Sequence, residues 1–173
     1  MKLKYFIVLT FYELTWILSV FGEIYFDKPL TGFVFGLIFV VSYFLYEKNS
    51  FFIKILLLIA IPGYLFDSFL VFSETYTFIS SFKFGLLPIW MITLWLSFAT
   101  LFYEVLFIIK KYRFSVILFI GFFGPFTYYL GEPLGVIRIN NLVIFLISMV
   151  LFWILLMTYY LIIVLKVKSY SDT

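Results

Sequence analysis

The sequence predicts an all-α protein, a polytopic membrane helix bundle of six transmembrane helices with both termini cytoplasmic. Three observations predict it. The chain of 173 residues is 65% hydrophobic and only 12% charged, whereas a soluble domain is about a quarter charged. The apolar residues fall into six runs, most of them of the length that crosses about 30 Å of hydrocarbon as a helix. The Lys and Arg residues lie mostly in the short connections between those runs, where they set orientation. The whole of 1–173 reads as one transmembrane domain.

Helix 1 is expected over 5–21, after Lys2 and Lys4, with Glu13 near its middle. Gly22-Glu23-Ile24-Tyr25 is a poor cleavage site, so the segment reads as a retained span. Asp27-Lys28-Pro29 then turns the chain into helix 2, over 30–46. Gly32 and Gly36 make a small-x-x-x-small pair there, which lets two helices approach closely. After Glu47-Lys48-Asn49-Ser50, helix 3 covers 51–72. Pro62-Gly63 predicts a kink, and Asp67 follows one turn later. The longest polar connection runs from Ser73 to Lys83.

Helix 4 is expected over 84–109. At about 39 Å it is longer than the hydrocarbon core and should tilt or protrude. Trp90, Thr93, Ser97, Thr100 and Glu104 recur at steps of three and four, so one face of this helix is polar. Such a face has no use against lipid and must look inward. Ser and Thr on it read as interhelical hydrogen bonds, and Glu104 as a partner for Lys111 near the cytoplasmic surface.

Helix 5, over 114–130, carries G-F-F-G-P-F-T-Y-Y-L-G-E-P-L-G from Gly121 to Gly135. Its prolines and glycines predict a broken or partly unwound segment, tolerated at membrane depth only under protein or beside a water-filled cavity. Gly63, Gly121, Gly124, Gly131 and Gly135 join Gly32 and Gly36 as candidate packing positions. Helix 6, over 141–166, is almost uniformly apolar and is expected to be the most lipid-exposed.

Six spans place Lys2, Lys4, Lys48, Lys54, Lys110, Lys111, Arg113, Lys166 and Lys168 on one side. Only Lys28, Lys83 and Arg138 fall on the other, so the first side is cytoplasmic. A five-span reading that demotes helix 5 would scramble this pattern. The same distribution makes the basic balance a topology signal rather than a nucleic-acid surface. With no Cys and no His, the chain offers no thiolate chemistry, no imidazole base and no zinc or haem site built on imidazole. No metal motif and no cofactor is expected.

Three carboxylates fall within spans: Glu13, Asp67 and Glu104. A charge in hydrocarbon costs about 2.5–3.5 kcal/mol or more, so each needs a partner, a water path or a proton. Helix rise places Asp67 about 20 Å above Lys54, in the outer half. Trp90 and Tyr128 reach a similar level. These positions define a candidate ligand site, an outward-opening polar and aromatic pocket. Asp67 stands at its centre, roofed by Trp90, Trp95, Tyr128 and Glu132, with Glu13 beneath. The competing reading is structural glue between helices, and Tyr and Trp near span ends also form interfacial belts.

Four stretches carry a family resemblance: F-Y-E-L-T-W around Glu13, P-G-Y-L-F-D-S around Asp67, L-P-I-W-M-I-T-L-W-L-S-F-A-T from Leu87 to Thr100, and G-P-F-T-Y-Y-L-G-E-P-L-G from Gly124 to Gly135. In this order, spread over most of the chain, they resemble a family of small bacterial inner-membrane proteins labelled domain of unknown function DUF2878. The family pattern often has an amide where Glu13 stands and a His-Ser pair near Tyr103-Glu104, and this chain departs from it at both places. The resemblance implies a multi-pass protein of the bacterial inner membrane with no established activity, and it points towards membrane-lipid modification.

The functional expectation is a membrane-embedded protein that binds, or helps to process, a lipid or other apolar small molecule. Its partners are the bilayer and that ligand, with no nucleic acid; protein partners are left open. Two other classes stand beside it. One is a small proton-coupled transporter using Asp67 or Glu13, motivated by the interrupted helices. The other is a carboxylate-dependent lipid-modifying enzyme, or a structural subunit of a membrane complex. Whether the protein is an enzyme is not decided by these residues.

Overall fold

The computed structural model of the protein describes residues 2–111 and 113–171, with side chains at all of these except 2, 106–111, 113–114, 116, 119–120 and 164–171. It contains six helices: α1 (Lys2–Ile24), α2 (Leu30–Glu47), α3 (Ser50–Phe72), α4 (Trp90–Lys111), α5 (Arg113–Tyr129) and α6 (Leu142–Ser171). Four are long and apolar enough to cross a membrane: α1, α2, α3 and the Leu142–Ile163 part of α6. The described apolar part of α4, Trp90–Val105, is shorter. The protein has the character of a membrane protein on its outside as well. On α3 the outward stripe Leu57, Ile61 and Leu65 is 50%, 50% and 61% exposed, an apolar face that water would not tolerate over a whole molecule.

Helix α4 is the hub, packed against α1, α2 and α3, while α5 packs along α6 and meets α4 only marginally. The polar stripe on α4 is what allows this. Thr93, Ser97 and Thr100 are buried, and Thr100 returns its hydroxyl proton to the Leu96 carbonyl at 2.9 Å. Close approach is made by glycines. Gly32 lies on the Ser19 backbone of α1, Gly36 between Thr15 and Thr93, Gly63 on the Trp95 ring, Gly121 on Ile154 and Gly124 on the Trp153 ring. Gly131 and Gly135 serve the turn after α5 instead. Gly135 sits at φ +77° with open space around it, a conformation that suits a residue without Cβ.

Four departures from the sequence expectation have physical reasons. The protein is not purely helical. Residues Tyr76–Phe78 (β1) pair antiparallel with Ile137–Ile139 (β4), and Lys83–Phe84 (β2) with Leu87–Pro88 (β3). Runs of two or three residues are too short to show a strand period. Helix 4 accordingly starts at Trp90 rather than 84, because the preceding residues form that β2–β3 hairpin around Gly85 at φ +64°. Helix 5 does not break at Pro125 but continues to Tyr129. The proline ring opposes the carbonyl four residues back, which here belongs to Gly121, and the unwinding falls at 130–135. Finally, α6 is not simply lipid-facing, since Phe145, Met149, Trp153, Leu156 and Tyr160 are all buried. A uniformly apolar helix hides its inward face from a polarity pattern.

Candidate functional site

The carboxylates on the helices are met one by one, and each makes a different kind of site. Asp67, on α3, is completely buried. Tyr76 donates to Oδ1 at 2.8 Å, Trp95 Nε1 to Oδ2 at 2.7 Å and Tyr128 to Oδ2 at 2.7 Å. Its donors come from β1, α4 and α5, so one side chain ties four elements. Burial, and then the adjacent Asp67 carboxyl, push the Tyr76 phenol well above its ordinary range, so it stays protonated and keeps donating. Tyr76 was invisible to sequence reasoning. It lies in β1, nine residues past Asp67, with no helical phase to link them.

Glu104 has a partner that the sequence did not point to. Lys111 lies outside the described side chains, and the cation described beside Glu104 is Lys4 of α1, at 2.8 Å. Tyr43 donates to the same Glu104 carboxylate. Lys4 also reaches Glu47 at 2.9 Å, and Glu47 accepts from Tyr103 at 2.7 Å. The Lys4 ammonium stands 5.3 Å from the centres of the Tyr43 and Tyr46 rings, a favourable face for a cation. This network clamps α1, α2 and α4 at the end of the bundle where the chain begins. The sequence marked Lys4 only as a charge for orientation.

At the opposite end Glu23 accepts from Trp90 Nε1 at 2.6 Å and from the Ser81 backbone N–H at 2.8 Å. Trp90 is therefore committed to Glu23 rather than to Asp67. Glu132 accepts from the Ile139 N–H at 2.9 Å, holding the turn before β4, and is exposed. Of the residues placed around Asp67 from sequence, the structure brings Trp95 and Tyr128 to it.

Beside this polar core runs an apolar cleft of about 680 Å³ between α1, α4, α5 and α6, closed at one end by Phe78, Val136 and Ile137. On α1 its wall extends from Tyr5 to Val20, about 22 Å of helix. Trp90, Trp95 and Tyr128 line it, and so does Glu13. Asp67 does not line it but lies behind Trp95 and Tyr128, anchoring both by hydrogen bonds. The cleft exists because α1 and α5 both flank the central layer without packing along each other. Among the described residues no three Asp, Glu, His or Cys side chains converge as a metal ligand set, and Glu13 is the one carboxylate among the cleft's described lining residues, beside the hydroxyl-bearing Tyr5, Tyr12, Thr127 and Tyr128.

No curated protein and no solved structure matches the chain. A family model described as protein of unknown function (DUF2878) matches residues 5–159, and the chain belongs to that family.

Proposed function

We propose that this protein binds one elongated apolar molecule, a lipid or lipid-like compound, within a bacterial inner membrane that it spans six times with both termini cytoplasmic. The observation that supports the reading is the cleft. Its volume falls within the range of about 300–1,000 Å³ usual for ligand pockets, and its walls are aromatic and aliphatic along most of a membrane-spanning helix. The flank between α1 and α5 faces the bilayer, so a ligand enters sideways from the lipid phase. The Asp67 hydrogen bonds hold the two aromatic wall residues Trp95 and Tyr128 at fixed positions, which suits a preformed site. Asp67 thereby acts on the site through its neighbours.

Mass spectrometry of small molecules extracted from the purified protein tests this, beside Leu94→Trp. Leu94 lines the cleft and is half-buried, and an indole there narrows it and blocks a ligand from lying along it. The expected result is a defined apolar molecule in the native protein and its loss in the folded variant. An empty native protein after mild extraction would leave the cleft without an occupant and overturn the proposal.

A further inference from the structure

The acids of helices α1 to α4 are Glu13, Glu23, Glu47, Asp67 and Glu104. Four of them are satisfied: Glu23 by an indole and a backbone N–H, Glu47 and Glu104 by Lys4 and tyrosines, and Asp67 by two phenols and an indole. Glu13 is the exception, since among the described residues no donor reaches it. It is also the one placed farthest from water. Glu13 is the midpoint of α1, about 17 Å from either end, and it is exposed on the wall of the cleft. A carboxyl at that depth without a partner is costly, and a fold that supplies donors to four acids supplies none to the fifth.

We propose that Glu13 is a ligand-recognition residue, and that the molecule in the cleft carries a hydroxyl group within its hydrocarbon segment that hydrogen-bonds the Glu13 carboxyl near the middle of the bilayer. This rests on the cleft being a binding site for an apolar molecule. The chemistry selects a hydroxyl over a cation. An ammonium group would bring its own desolvation cost into hydrocarbon. A neutral hydroxyl costs far less to desolvate and both donates and accepts, so it matches the carboxyl whether ionised or protonated. The rest of the cleft wall offers apolar contact that fits the chain on either side of that group.

The test compares oleic acid with ricinoleic acid, which is oleic acid with a hydroxyl group partway along the chain. Each displaces a brominated fatty acid that quenches the cleft tryptophans Trp16, Trp90, Trp95 and Trp153 in the full-length protein. The native protein is expected to prefer ricinoleic acid about tenfold, the size of one buried hydrogen bond to a carboxyl. Glu13→Leu is expected to bring the two affinities together, and Glu13→Gln to retain most of the preference because an amide also bonds a hydroxyl. Equal affinities in the native protein, or a preference that survives Glu13→Leu, would overturn the role of Glu13 while leaving the cleft as a lipid site. No quenching by the brominated fatty acid and no displacement by either acid would overturn both.

Discussion

At Asp67 two phenols and an indole converge on a fully buried carboxyl that no cation reaches among the described residues. Removing one donor there should be felt far from the ring that carries it. Tyr128 supplies a polar contact from α5 to the α3 side of the bundle, so Tyr128→Phe is expected to cost about 1–3 kcal/mol. Unfolding in mixed micelles measures it. Pairing the change with Asp67→Ala, which removes the acceptor, in a double-mutant cycle should give an energy well below the sum of the two, because both remove the same bond. Additive effects would mean that the Tyr128 hydroxyl contributes independently of Asp67. The contrast with Glu13 is instructive. Both acids lie in apolar spans and look alike in sequence, yet one is enclosed by donors and the other faces a cleft.

Among the elements, α4 carries the assembly because its polar stripe and its neighbours' glycines bring three helices onto it. Gly36 is where α1, α2 and α4 meet. A Cβ there would stand 2.8 Å from both Thr15 Cγ2 and Thr93 Cβ, closer than packed atoms allow. Gly36→Leu is therefore expected to destabilise the bundle by about 1–3 kcal/mol, with Gly36→Ala costing less. The same unfolding assay checks the order. Equal stability of the leucine variant would show that α1 and α2 can part without loss. The α5–α6 pair is held differently. It joins the other four helices through α3–α6 packing, the β1–β4 pairing, the Tyr128 bond to Asp67, the Trp95–Trp153 stack and the Tyr160 bond to the Phe102 carbonyl, while α5 does not pack along α1.

For the whole molecule, the charge asymmetry and the placement of the polar clusters suggest one orientation. The Lys4 network sits at the end with the chain's start, and the β1–β4 pairing at the other. The chain has no Cys, so single cysteines report topology cleanly. Lys48 and Glu74 are both exposed and end opposite helix connections. On the proposed orientation, a membrane-impermeant maleimide is expected to label Glu74→Cys in intact cells and Lys48→Cys only after the membrane is opened. The reverse pattern would invert the orientation.

The sequence by itself determined the membrane character, the six helical segments and the residues of unusual cost, because hydropathy, helix period and the expense of a buried charge are all local properties. The carboxylates Glu13, Asp67 and Glu104 and the rings Trp95 and Tyr128 were legible for that reason. What each acid touches was not legible. Lys4 reaches Glu104 across more than half the chain, Tyr76 reaches Asp67 from a three-residue strand, and Trp90 turns to Glu23. These pairings depend on which helices are neighbours and how each is rotated, and a period along one helix contains neither. The cleft belongs to the same class. It is the space left where α1 and α5 do not meet, so it is a property of the packing, and only the tertiary structure decided that Glu13 stands on its wall.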